Sequence, residues 1–196
     1  MPLLQTKADA SAWGYGFLGA TTSTGNFFLI SKQVLGSTSA TVTFSSIPNT
    51  YKSLQIRSIA RDSGSNSQDI GFAFNFNSDT GNNYTWHRLY TSEGGTITAN
   101  AGSSQPANYM WGCAGGGLAS NIFSASTYDI IDYASTSKNK TLRGIGGTNN
   151  NTSSANPFFG ISSGLWMSTS AINSITITDY TNNFVTGSTF ALYGVS

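Results

Sequence analysis

The sequence predicts an all-β protein built as a two-sheet β-sandwich, and three observations lead to this prediction. Only 9% of the 196 residues are charged, well below the roughly 25% that is typical of soluble globular chains. Ser, Thr, Asn and Gly replace the charged residues, which suits strands and turns, because helical surfaces normally carry Glu, Lys and Arg. No stretch shows a sustained 3.6-residue period of apolar residues, as an amphipathic helix would.

Alternation of apolar and polar residues predicts the individual strands. Residues 70–77 read IGFAFNFN, which places Ile70, Phe72, Phe74 and Phe76 on one face of a half-buried strand, and residues 40–45 alternate in the same way. Further strands are predicted at residues 54–60, 84–90, 109–111, 126–133, 141–145, 165–167, 174–178 and 190–195. Eight to ten short strands between Gly- and Asn-rich turns favour a jelly roll over an up-and-down barrel.

The first 36 residues differ from the rest, so we divide the chain into an N-terminal arm (residues 1–36) and a jelly-roll β-sandwich (residues 37–196). The arm is rich in glycine and has no clear pattern before FFLI at residues 27–30. We expect the arm to become ordered against a neighbouring subunit, because ordering a segment requires apolar surface that a partner buries. The expected anchors are Phe17, Phe27, Phe28, Leu29 and Ile30.

Two short motifs match catalytic signatures without their structural context. Gly14, Gly16 and Gly19 fit the G-x-G-x-x-G pattern, but no buried strand precedes them, and no acidic residue follows about 20 positions later. GISSG at residues 160–164 fits the nucleophile elbow G-x-S-x-G, but no histidine follows Ser162 and no helix is predicted there. We therefore predict that the protein is not an enzyme.

Sites for metals, cofactors, nucleic acids and membranes are not expected either. His87 and Cys113 are the only residues of their types and lie far apart in the chain, so they form no ligand cluster. Asp129 and Asp132 are three positions apart on a predicted strand and point to opposite faces, which excludes a pair of catalytic carboxylates. The nine basic residues are scattered, with a formal net charge of +1, which is unlike a nucleic-acid-binding protein. No apolar run approaches the ~20 residues of a membrane span.

Three long segments resemble parts of a known group of proteins. The segments are FSSIPNTYKSLQIRSIARDS (44–63), YDIIDYASTSKNKTLRGIGG (128–147) and AINSITITDYTNNFVTGSTFALYGVS (171–196). They resemble, in consistent order, stretches of structural proteins of tailed bacteriophages, in particular those that infect marine bacteria and cyanobacteria. The resemblance implies a jelly-roll-like module of the virion with no catalytic residues.

The function expected from the residues and the resemblance together is structural. We expect a non-enzymatic component of a phage virion, either a capsid decoration (cement) protein or an appendage of the head or tail. Its partners would be other virion proteins, which it would reach through its N-terminal arm. The weakly charged surface also predicts a homo-oligomer, because such a surface keeps a free monomer poorly soluble. By analogy with three-fold appendages, we expect a trimer.

The alternative is a host-recognition module of the tail that binds a surface polysaccharide. Flat apolar rings suit sugar stacking, and Trp86 and Trp111 are the candidates for such a platform. The competing interpretation is that both rings fill the sandwich core, which is the most common role of large aromatic residues. Two or more rings exposed in one groove would favour glycan binding, and buried rings would favour a structural role.

Overall fold

The computed structural model describes residues 26–65, 70–91, 96–149 and 158–196. All regular elements in these residues are β-strands, so the all-β prediction is confirmed. The strands are β1 (Phe27–Val34), β2 (Thr41–Phe44), β3 (Ser53–Ala60), β4 (Ile70–Phe76), β5 (Tyr84–Thr91), β6 (Ile97–Gln105), β7 (Asn108–Cys113), β8 (Ser124–Ile131), β9 (Lys140–Thr148), β10 (Phe158–Trp166), β11 (Ile175–Asp179) and β12 (Thr189–Val195).

The strands form two antiparallel sheets. The larger sheet has eight strands in the order β1-β12-β3-β8-β9-β10-β5-β6, and the smaller has four in the order β2-β11-β4-β7. Strands β8, β9 and β10 follow one another as a meander, whereas most other neighbours in the sheets are distant in sequence. The two-sheet architecture is therefore the one that the alternation of residues predicted.

The hydrophobic core lies between the sheets and is dominated by aromatic rings. In β4, Phe72, Phe74 and Phe76 all point inward and are completely buried, as the alternation in IGFAFNFN predicted. Phe72 contacts the rings of Phe74, Tyr128, Phe184 and Phe190, with ring centres 5.4–6.1 Å apart. Residues from both sheets thus meet in one cluster around this strand.

The part of the predicted arm that the structure describes lies in the larger sheet. Phe27, Phe28, Leu29 and Ile30 belong to β1, which pairs antiparallel with β12 along its length. Phe28 stacks on Tyr51 with ring centres 5.7 Å apart, and Ile30 packs against the core. These anchors therefore contact their own domain, because β12 offers a free edge for the strand to pair with. Phe17 lies outside the described residues.

Strand β6 was not predicted from the sequence. Its residues, ITANAGSSQ, contain few β-branched or aromatic side chains, and most of them are exposed. The strand forms because β5 supplies an antiparallel partner for it, with one shift of register between Tyr84 and Trp86, and pairing of this kind overrides weak intrinsic propensity. With β1, which lies in the predicted arm, β6 makes the larger sheet two strands wider than the pattern of residues suggested.

Edge strand β7 of the smaller sheet is bound by hydroxyl groups of the larger sheet. The amide of Trp111 donates to Ser162 Oγ at 3.4 Å, and the carbonyl of Trp111 accepts a hydrogen bond from the Tyr128 hydroxyl. The carbonyl of Gly112 accepts from Ser124 Oγ at 2.9 Å. These bonds satisfy backbone groups that an edge strand would otherwise expose, and they tie the two sheets together.

One end of the core contains a buried tyrosine with a strongly shifted pKa. The Tyr84 hydroxyl accepts a hydrogen bond from the Phe76 amide at 3.1 Å and donates to the Asp79 carbonyl at 3.0 Å. Burial raises the pKa of Tyr84 to about 12. The carboxylate of Asp79 accepts from Trp166 Nε1 at 2.7 Å. Burial alone would raise the pKa of Asp79, but this bond and those from Asn83 and Gly81 lower it overall.

Alkaline pH is therefore expected to destabilise the protein through Tyr84. An unfolded tyrosine loses its proton near pH 10, whereas folded Tyr84 keeps it up to about 12, so the native state binds more protons in this window. Stability is then lost as pH rises through it, by up to about 3 kcal/mol from this residue. Urea unfolding of the wild type and Tyr84→Phe at pH 9 and pH 11.5 measures the effect. The difference in free energy of unfolding between the wild type and Tyr84→Phe should be smaller at pH 11.5 than at pH 9. An equal difference at both pH values contradicts the raised pKa of Tyr84.

Candidate functional site

Trp86 and Trp111, the candidate sugar-stacking residues, lie on either side of an arginine. The guanidinium carbon of Arg88 is 4.0 Å from the ring centre of Trp86 and 4.6 Å from that of Trp111. The indole of Trp86 also packs on the backbone of Gly102, where an added Cβ would lie 2.6 Å from the ring. Burial lowers the pKa of Arg88, and its Nε donates to Asn100 Oδ1 at 3.1 Å. Trp86 consequently has little ring surface left for a ligand, and is only 8% exposed.

The remaining contacts of Trp111 are also within the chain. Its ring centre lies 4.7 Å from those of Tyr90 and Phe158, both on the larger sheet. Next to this group, Tyr109 and Tyr180 meet edge to face at 5.0 Å. Only Tyr180 among these rings is largely exposed, at 60%. The structure thus places both tryptophans in a packed aromatic and arginine cluster rather than on an open platform.

Most of the large apolar side chains that are exposed among the described residues lie on the other side of the larger sheet. We call it the outer face: the side-chain positions of the eight-stranded sheet that point away from the smaller sheet. Of the twelve large apolar side chains exposed among the described residues, ten occupy this face. They are Phe27, Leu29, Val34, Ile59, Leu89, Ile97, Ile131, Ile145, Phe159 and Ile161.

The register of the strands makes the centre of this surface continuous. One row crosses β9, β10 and β5 through Ile145, Ile161 and Leu89, which are direct cross-strand neighbours. The next row crosses β3, β8, β9 and β10 through Ile59, Ala125, Gly147 and Phe159. Because cross-strand neighbours lie about 5 Å apart, these side chains form one patch rather than scattered contacts.

Few charges interrupt the outer face. Its strands carry only Lys32, Arg57, Asp129 and Arg143 as formally charged residues there. Arg143 Nε binds Asp129 Oδ2 at 3.1 Å, so two of the four compensate each other. Arg57 lies over the rings of Phe27 and Tyr193, 4.8 Å from each ring centre. The ten exposed apolar residues of the outer face can be read from the sequence one by one. Only the pairing of the strands shows that they lie on one surface.

The other motifs singled out in the sequence occupy structural positions. Ser162 of GISSG lies inside β10 with its side chain toward the smaller sheet, where its Oγ accepts a hydrogen bond from the Trp111 amide. Asp132 binds Lys138 Nζ at 2.9 Å on the surface. Within residues 26–65, 70–91, 96–149 and 158–196, no group of three or more His, Cys, Asp or Glu side chains is placed to hold a metal ion. Gly14, Gly16 and Gly19 lie outside the described residues.

Lys140 is a buried lysine whose ammonium group is surrounded by backbone carbonyls. Its Nζ donates to the backbone carbonyls of Lys138 at 2.6 Å and Thr169 at 3.1 Å. Burial lowers the pKa of its ammonium group. Because these carbonyls belong to the segment before β9 and the segment after β10, we assign Lys140 to holding the two segments together.

Comparison with known proteins gives no relative for this chain. No protein-family model, no curated protein and no solved structure matches it. In the part of the chain that the structure describes, no helix is long and apolar enough to cross a membrane.

Proposed function

We propose that this protein is a non-enzymatic structural component of a phage virion, a capsid decoration (cement) protein or an appendage of the head or tail. The observation that carries the assembly role is the outer face of the larger sheet. Soluble monomers rarely leave contiguous apolar patches of more than a few hundred Å² in contact with water, and larger patches mark interaction sites. The proposal that the assembly is a phage virion rests on the resemblance of residues 44–63, 128–147 and 171–196 to phage structural proteins.

We also propose that the fold is of the jelly-roll type, and the strand order supports this. The pairs β5–β6 and β9–β10 can be treated as insertions into an eight-stranded core. The remaining eight strands, counted in chain order, then pair as 1-8-3-6 in one sheet and 2-7-4-5 in the other. This is the order produced when a long two-stranded ribbon, with pairs 4–5, 3–6, 2–7 and 1–8, folds over into two sheets. Viral capsid proteins commonly use such double-sheet jelly rolls.

The inserted strands give this jelly roll a feature suited to assembly. They pair with one another, β10 with β5, and extend the larger sheet by the four strands β9, β10, β5 and β6. Half of the large apolar residues exposed on the outer face lie on this extension, namely Leu89, Ile97, Ile145, Phe159 and Ile161. An extension needed only for stability would be expected to present polar side chains to water. Its apolar surface instead supports docking.

The host-recognition alternative has less structural support. Glycan stacking requires open ring faces, and those of Trp86 and Trp111 are in contact with Arg88 and neighbouring rings. The exposed ring beside them belongs to Tyr180. A single exposed ring does not form the groove of two or more rings that the alternative requires.

The location in a virion is tested by immunogold electron microscopy with an antibody against the purified chain. Tailed-phage particles from the viral fraction that carries the coding sequence are the sample. Label spread over heads is expected for a decoration protein, and label at one end or along the tail for an appendage. Complete absence of the chain from these particles, by labelling and by mass spectrometry of dissolved particles, overturns the virion assignment.

Docking through the arm is tested by deleting residues 1–25, which leaves every described strand intact. We expect this variant to bind particles that lack the protein at least ten-fold more weakly than the full chain does. Co-sedimentation with such particles measures the affinity. Phe159→Lys in the full chain is a parallel variant that changes the outer face and keeps the arm. Unchanged binding after the deletion contradicts docking through the arm, and unchanged binding by both variants contradicts both docking surfaces.

A further inference from the structure

The size of the outer face limits what can cover it. Eight strands about 4.8 Å apart make it about 38 Å wide, and four residues per strand on one face make it about 25 Å long. The resulting area of about 900 Å² matches the roughly 800 Å² that each partner contributes to a stable protein–protein interface. A single bound peptide strand would cover only a small part of this width. The dimensions therefore favour another flat surface of similar size.

We infer that a second copy of this chain covers the outer face, so that two protomers pack sheet against sheet about a two-fold axis. The axis runs parallel to the strands, between β9 and β10, so the six strands β3, β8, β9, β10, β5 and β6 overlap with those of the second copy, whereas β12 and β1 lie outside the contact. The overlap is about 29 Å by 25 Å, or about 700 Å² of each protomer, which is close to the area of a standard interface. This inference rests on the proposed assembly role and names the partner for the same surface. Packing two sheets face to face with nearly aligned strands, about 10 Å apart, is the usual way in which β-sandwiches bury their sheets.

The two halves of the outer face are complementary under this symmetry. The axis places β9 opposite β10 of the second copy, β8 opposite β5, and β3 opposite β6. Within the rows set by the register, Ile145 then meets Ile161, and Ile59 meets Ile97. The exposed ring of Phe159 meets Gly147, where no side chain obstructs it. These five apolar residues therefore face another apolar residue or a glycine. Leu89 meets Thr127 and Ile131 meets Thr85, and the exposed apolar residues of β1 lie outside the contact.

The charges on the face are also compatible with this arrangement. Asp129 on β8 comes opposite His87 on β5 of the second copy, because both lie in the same row of the sheet. Arg143 comes opposite Ser163 in that row, and Arg57 comes opposite Ala99 in the neighbouring one. No two charges of like sign oppose each other. A trimer, which analogy with three-fold appendages had suggested, would not place the outer face of one protomer against the outer face of another.

Self-association is measured by sedimentation velocity at about 1–100 µM chain. We expect the wild type to form a species of twice 20.6 kDa. Ile161→Lys should weaken dimerisation by at least 100-fold, because it places two lysines close to the axis in an apolar contact. Tyr180→Lys is the matched control: it replaces an exposed apolar side chain on the smaller-sheet side and should leave the dimer unchanged. Far-ultraviolet circular dichroism and thermal unfolding establish that each variant is folded.

A pair of charge variants tests the orientation of the two copies. His87→Asp places a carboxylate opposite Asp129 and should weaken the dimer about ten-fold at low salt, whereas His87→Lys should preserve or strengthen it. Within one chain the cross-strand neighbours of His87 are Ser163 and Ala101, so neither variant creates an internal charge pair. Equal effects of the two substitutions overturn the proposed two-fold axis.

Failure of this inference is distinguishable from failure of the virion role. A chain that is monomeric at 100 µM, or a dimer that Ile161→Lys leaves intact, overturns self-association through the outer face. A trimeric mass does so too. If such a chain still binds phage particles and Ile161→Lys abolishes that binding, another virion protein covers the face, and the proposed function stands without the dimer.

Discussion

Replacing Phe72 by alanine is expected to lower the free energy of unfolding by about 3–5 kcal/mol. The side chain is completely buried in β4 and contacts four other aromatic rings, from both sheets. Such a crowded site cannot collapse around the missing ring without moving its neighbours, so a cavity remains and the loss is at the upper end of the usual range. Urea unfolding followed by tryptophan fluorescence measures it.

The control for this prediction is the same substitution at an exposed phenylalanine. Phe159 lies on the outer face of β10 with 52% of its surface exposed. At chain concentrations at which sedimentation velocity detects only monomer, Phe159→Ala should change the free energy of unfolding by less than about 0.5 kcal/mol. A comparable loss for both variants would mean that Phe72 is not at the centre of the core. Phe72→Leu should cost much less than Phe72→Ala, because most of the ring volume is replaced.

The sequence predicted those strands whose two faces differ in polarity. Residues 70–77 show why: phenylalanine on one face and small or polar residues on the other leave one way to bury the strand. The sequence predicts an arm over β1 because residues 1–36 are rich in glycine and show no clear pattern before FFLI, whose four apolar residues are consecutive. Pairing with β12, a partner more than 150 residues away, resolves this pattern, since it buries one side and exposes Phe27 and Leu29 on the other.

The candidate interaction surface was not predicted, although its signal was present. In β10, Phe158 and Trp166 point inward while Phe159 and Ile161 point outward, so the strand is apolar on both faces. A strand of this kind in an antiparallel sheet indicates a second packing partner. What the sequence did not contain is the strand order, and only that order brings Leu89 and Ile145 beside β10 and places Ile59 on the same surface. Residue type alone makes Trp86 and Trp111 candidates for sugar stacking, but Arg88 and neighbouring rings contact the faces of both indoles.

Replacing Gly112 by alanine is expected to lower the free energy of unfolding by about 2–3 kcal/mol. Strand β7 approaches the larger sheet so closely that a Cβ at this position would overlap the hydroxyl of Tyr128 and lie 2.9 Å from Ser126 Oγ. To relieve the overlap, the chain must move β7 away or rotate Tyr128. Either movement breaks the hydrogen bond between the Tyr128 hydroxyl and the Trp111 carbonyl, which helps to satisfy this edge strand.

A double-mutant cycle separates the steric overlap from a general cost of replacing glycine. Tyr128→Phe removes the atom that the new Cβ meets, so Gly112→Ala should cost at least 1 kcal/mol less in that background than in the wild type. Gly36→Ala is the matched control, since no atom lies within 4 Å of its added Cβ, and it should be nearly neutral. Equal costs of Gly112→Ala in both backgrounds would place the strain in the backbone of β7. The Tyr128 hydroxyl would then not be the cause of the cost of Gly112→Ala.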